Sequence, residues 1–131
     1  MATATAKWPS FKFATHASVS EFCVSSQAYL ANHPSEYSQY QHLAIGALVF
    51  NHSTPRRLLL IQRAASDTMP NLWEIPGGGA DDVDETILHG IARELWEETG
   101  LMATSVGPEV GVGQMFTVGY AKLNQVCSYK P

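Results

Sequence analysis

The chain has 131 residues, is 45% hydrophobic and only 15% charged, and carries a formal charge of -4. That length suits one domain with one core, the composition argues against a disordered chain, and the negative balance argues against a broad nucleic-acid-binding face. An anionic ligand would need a local cationic device, and a bound metal ion would serve.

In chain order, residues 1–17 show little periodicity and read as a loosely held arm. Ser18 and Glu21 have capping-box spacing, and SSQAYLANHP reads as a short helix stopped by Pro34, with Tyr29 and Leu30 as packing residues. SEYSQYQH is polar linker, so residues 1–41 form an N-terminal extension. LAIGALVF and LLLIQRA are apolar, partly β-branched runs joined by NHSTPRR, which together predict a hairpin of two buried strands. SDTMPNL is turn chemistry, WEIP a short extended piece, and the three glycines at 77–79 a loop.

The spacing then predicts a helix that starts near Asp81, Asp82 or Asp84 and ends at Gly100 in the left-handed conformation, with Leu88, Ile91 and Leu95 on one apolar stripe. Two further strands are expected beyond it. Cys23 and Cys127 match no ligand spacing and read as reduced thiols, and the five histidines show no mutual spacing of a metal site. No apolar run approaches membrane-spanning length and no secretory signal is present, so the expectation is a cytoplasmic protein with no membrane or nucleic-acid partner. The Ala, Ser and Thr bias of the first residues leaves organelle targeting as a weak alternative.

The helix carries a puzzle. Glu94, Glu97 and Glu98 stand at i, i+3 and i+4, so their side chains leave one narrow sector of its last turns. A like-charge i,i+4 pair costs roughly 0.2–0.5 kcal/mol, and each acid opposing the helix dipole roughly 0.3–1 kcal/mol. A solvated charged face is the bland explanation. A divalent cation between the carboxylates removes both penalties, and hard oxygen donors without interleaved cysteine or histidine favour magnesium, or manganese, over zinc. The glycine-rich stretch before the helix, Glu85 as a fourth acid and Arg93 as an orienting partner favour the cation.

Gly79, Glu85, Arg93, Glu94, Leu95, Glu97, Glu98, Gly100 and Leu101 fill every specified position of the Nudix signature at its intervals, and WEIPGG resembles the proline-glycine turn that precedes it. The resemblance implies an α+β fold, an α/β/α sandwich with a mixed sheet, over residues 42–131. It also implies hydrolysis of a phosphoanhydride bond in a nucleoside diphosphate linked to another moiety, such as a nucleoside triphosphate or small nucleotide derivative, with Mg²⁺ or Mn²⁺ as cofactor. Glu94, Glu97 and Glu98 would bind metal, with Glu97 or Glu98 as base. Arg93 would orient a carboxylate, and Glu85 would tie the loop to the helix or bind metal through water. Three glycines follow Pro76 where two are usual, so either Gly78 or Gly79 could offer a metal-binding carbonyl. Arg63 could contact a phosphate. Trp73 could stack on a base, although core packing is favoured about two to one on the general burial of large aromatics. Little chain follows Leu101, so the last strands and C-terminal helix of the sandwich are expected to be absent. An open sheet face would then favour a homodimer. The competing function is a catalytically weak or inactive Nudix module that binds a nucleotide or a protein partner.

Overall fold

A computed structural model describes residues 8–34, 42–111, 114–116 and 120–130. Residues 1–7 of the expected arm and residues 35–41 of the expected linker lie outside them. The elements in chain order are β1 (Ala14–Thr15), a 3-10 helix (Ala17–Phe22), α1 (Ser26–Asn32), β2 (His42–Val49), β3 (Ile61–Gln62), β4 (Trp73–Glu74), β5 (Gly77–Gly79), α2 (Ile87–Thr99), β6 (Met102–Glu109), β7 (Gln114–Phe116) and β8 (Tyr120–Lys130). Strands run β1-β6-β8-β2-β5 across one sheet, with β7 also on β8, and β3 and β4 form a separate ribbon. The sheet is mixed, as expected: β2 is parallel to β8 and β1 to β6, whereas β5–β2 and β6–β8 are antiparallel. No helix of the described residues is long and apolar enough to cross a membrane.

The core lies between the sheet and α2. Leu43, Ile45, Ala47 and Val49 alternate onto one face of β2, as period-2 burial requires, and meet Ile87, Leu88, Ile91, Ala92 and Leu95 of the helix stripe. Each fully buried aliphatic contributes about 1.5–3 kcal/mol. Val19, Phe22 and Tyr29 belong to the same cluster, and Phe11 and Phe13 pack against it.

Several expectations are corrected. Residues 8–15 are no loose arm: β1 pairs with Ser105 and Val106, Phe11 sits edge-on to Trp96, and Phe13 lies 5.0 Å from the His89 ring. Ser18 does not open a capping box. The His16 ring accepts from the Ser18 amide instead and starts a 3-10 helix, while Ser25 caps α1. The two apolar runs do not make a hairpin. The edge of β2 at Ala44–Gly46 is taken by β5, so the leucine run touches β2 only at its end, where Leu59 N donates to Val49 O and Phe50 bridges Leu58. Leu58 and Leu60 are exposed.

The glycines expected as loop form β5 because backbone without side chains can approach closely: a Cβ on Gly77 would lie 2.2 Å from Ile45 O. Helix α2 starts later than the aspartates suggest, capped by Thr86, whose side chain accepts from His89 N. It ends as expected at Gly100, with φ 73° and its amide bonded to Trp96 O. Three strands follow it rather than two.

Candidate metal and phosphate site

The site lies where the end of α2 passes the glycine strand β5. Arg93, with only 6% of its side chain exposed, organises it. Its Nε donates to Asp84 Oδ1 at 2.8 Å and its Nη2 to Asp84 Oδ2 at 3.0 Å, a fork-on-fork pair. Nη2 also donates to Gly79 O, while Nη1 reaches Glu94 Oε1 at 3.0 Å and Glu97 Oε2 at 3.3 Å. Asp84 above all holds Arg93 firmly protonated against the cost of its burial. The same aspartate accepts from Asp81 N and folds over Gly90, where a Cβ would stand 2.7 Å from its Oδ2. Asp84 is the residue that sequence reasoning missed. In the sequence it stands beside Asp81 and Asp82 as one of three cap candidates, and its pairing with Arg93 follows only from the fold.

Glu94 leans onto β5: a Cβ on Gly78 would lie 2.6 Å from Glu94 Oε1, so the glycine leaves the space that the carboxylate fills. Desolvation raises its pKa, against the lowering effect of Arg93. Glu98 is exposed as a residue, yet one carboxylate oxygen, Oε2, accepts from Gly77 N at 3.1 Å. Desolvation first, then the charges of Glu94 and Glu74, push its carboxyl up to about 7, against the lowering effects of the Gly77 amide and Arg63. Glu97 accepts from Arg93 and from the indole Nε1 of Trp8.

The Arg93 guanidinium thus serves three carboxylates, Asp84, Glu94 and Glu97, with Glu98 beside them on the Gly77 amide, and Glu94 and Glu98 are both held above the ordinary glutamate range. That is the electrostatic condition a hard cation would relieve, and the all-oxygen donor set suits Mg²⁺ or Mn²⁺. In the conformation described, the carboxylates hold protein donors. Among the described residues no three His, Cys, Asp or Glu side chains converge on one point. The residues fit the ion in kind, and capture requires a rotation of glutamate side chains.

The remaining expected site residues lie elsewhere. Glu85 is 80% exposed and approaches only His89, at 3.7 Å, so the tie between loop and helix is made by Asp84. Gly79 O is already an acceptor for Arg93. Arg63 spends its terminal nitrogens on Asp67, at 2.5 Å, and Glu74, at 3.2 Å, and its buried Nε has no partner among the described residues. Arg63 in turn holds the Asp67 carboxyl down to about 2. Trp73 is 64% exposed, which overturns the preference for core packing: β4 lies in the outlying two-stranded ribbon, away from the main sheet.

The "m7GpppN-mRNA hydrolase NUDT17" of Danio rerio is 34% identical over 97 residues, covering 65% of this chain and 31% of its own length. An "RNA pyrophosphohydrolase" of Bartonella tribocorum is 38% identical over 66 residues, 47% of this chain and 37% of its own. Among solved structures, the Escherichia coli ORF135 protein superposes with a TM-score of 0.53 at 29% identity, over 72% of this chain and 64% of that one. The chain spans between 17% and 31% of the length of the NUDT17 proteins it matches. The family model described as NUDIX domain matches residues 40–124, a stretch that holds β2, the glycine strand, Asp84 and the whole acidic helix. With that match over most of its length, the chain belongs to the NUDIX domain family.

Proposed function

We propose that this chain hydrolyses a phosphoanhydride bond in a nucleoside diphosphate linked to another moiety, in a reaction that depends on Mg²⁺ or Mn²⁺ held by Glu94, Glu97 and Glu98. The observation that carries the reading is the geometry of the acidic cluster against β5, where Glu94 lies over Gly78, Glu98 takes the Gly77 amide and Glu97 shares Arg93 with Glu94. When bound, the ion would neutralise charge on the phosphoryl group under attack and lower the pKa of a water it holds.

The chain's own residues supply the rest. Arg93, locked on Asp84, orients Glu94 and Glu97 through its Nη1. Glu98 is our candidate base: the Gly77 amide holds it through Oε2 and leaves Oε1 to take a proton. Of the two glycine carbonyls, only that of Gly79 faces the cluster, where an ion would share it with Arg93, because Gly78 stands opposite Ile45 in the ladder and turns its carbonyl to β2. Glu85, exposed above the loop, would act only through water. For the substrate, Trp73 offers an exposed stacking surface for a base. Arg63 would meet a phosphate only by giving up Asp67 or Glu74.

The substrate class we favour is a small nucleotide derivative. The relatives' names concern m7GpppN-mRNA and RNA, so the test is a panel of nucleoside triphosphates, ADP-ribose, dinucleoside polyphosphates, a cap analogue and 5′-triphosphorylated RNA. Phosphate or nucleotide release is measured with and without Mg²⁺. We expect metal-dependent turnover of at least one member, lowered by orders of magnitude in Glu98→Gln with little loss of folding. Equal activity in wild type and mutant would contradict the assignment. Tight binding without turnover in folded protein would favour the binding module instead.

A further inference from the structure

The N-terminal arm reaches the acidic cluster, and nothing in the proposed chemistry uses it. Trp8 donates its indole N–H to Glu97 Oε1, and its ring lies over the Arg93 guanidinium with 5.4 Å from Cζ to the ring centroid. The arm is fixed along α2 by three further contacts: Phe11 on Trp96, Phe13 on His89, and the β1 pairing with β6, continued by His16 N donating to Val106 O. Trp8 is therefore delivered to Glu97 by packed structure.

An indole N–H is a donor only, so it can do nothing for a cation and competes with one for a carboxylate oxygen. The second oxygen of Glu97 faces Arg93 Nη1 at 3.3 Å, the longest of that arginine's contacts in the cluster. Glu94 and Glu98 lean on β5, whereas Glu97 is turned to the arm. We propose that the arm is a latch on the metal site: Trp8 holds Glu97 out of the ligand set, and capture of the ion requires that the indole N–H let go. The proposal rests on the metal-binding reading above and adds to it a control exerted from outside the signature. Arg93 stays where it is during release, because Asp84 holds it through two other nitrogens.

The test is a Mg²⁺ titration by calorimetry of the full chain and of Trp8→Phe, which removes the N–H and keeps an aromatic ring over Arg93. A hydrogen bond to a charged group corresponds to about tenfold in an equilibrium, so Trp8→Phe should bind Mg²⁺ about tenfold more tightly. In parallel, the indole N–H resonance of Trp8, assigned in wild type by through-bond connectivity to its own backbone amide, should shift as wild type is saturated with Mg²⁺. Equal or weaker binding by Trp8→Phe with an unmoved resonance would overturn the latch while leaving the metal site standing. Absence of saturable heat in both folded proteins would remove the metal reading and the latch with it. If the variant does not fold, the wild-type resonance decides alone: movement supports the latch, and no movement at saturation refutes it.

Discussion

Asp84 shows how a pair of residues can govern a site that neither fills. With 7% and 6% of their side chains exposed, Asp84 and Arg93 form a buried ion pair, and removal of Asp84 takes from Arg93 the acceptor of Nε and one of the two acceptors of Nη2. Asp84→Ala should therefore cost about 3–5 kcal/mol of stability, read as a lower chemical denaturation midpoint, and a loss under ~1 kcal/mol would contradict the role given to it. The glycines separate by the same logic. Gly78→Ala would collide with the Glu94 carboxylate, whereas a Cβ on Gly79 meets nothing within 4 Å. The first substitution should weaken Mg²⁺ binding, and the second should leave the fold unchanged. Glu98 sets the pH response. Its folded carboxyl sits near 7 against 4.5 unperturbed, so the metal-free folded state binds that proton more tightly. Its contribution to stability is then fully present below about 4.5 and lost as pH rises to about 7, with Glu94 acting in the same sense. Asp67, held at about 2, is ionised throughout that window and does not offset it. Melting curves of metal-free protein should fall across this range and flatten in Glu98→Gln. Parallel pH profiles for the two proteins would refute the assignment.

Helix α2 is the element on which sequence and structure agree best, and the reason is that its signals are local. The stripe Leu88, Ile91, Leu95 follows from the period of 3.6, and Gly100 from the chirality of its cap. Leu95→Ala should cost about 2–5 kcal/mol, and Thr86→Ala about 1 kcal/mol through the lost cap, both measurable by denaturant unfolding. Elements whose partners lie far along the chain were illegible. LLLIQRA reads as a buried strand on its own, but β2 pairs with β5 and β8, and nothing local in the leucines reveals that the edge is taken. Three glycines likewise read as loop, since the steric room they offer matters only once Ile45 and Glu94 are known to press on them.

For the molecule as a whole, membership of the family was readable because its motif is contiguous, whereas the use made of the motif is three-dimensional. Glu94, Glu97 and Glu98 are adjacent in sequence yet engage three different partners, namely Gly78, Trp8 and Gly77. Trp8 lies 89 residues from Glu97, a separation over which no spacing rule operates. The central claim is that these three glutamates jointly hold one divalent cation. It is tested most directly by a Mn²⁺ titration of folded protein followed by electron paramagnetic resonance, in wild type and in Glu94→Gln, Glu97→Gln and Glu98→Gln. The account predicts saturable binding in wild type, competed by Mg²⁺ and weakened in every one of the three variants. A wild-type signal that stays that of the free ion, or binding that all three substitutions leave unchanged, would contradict it.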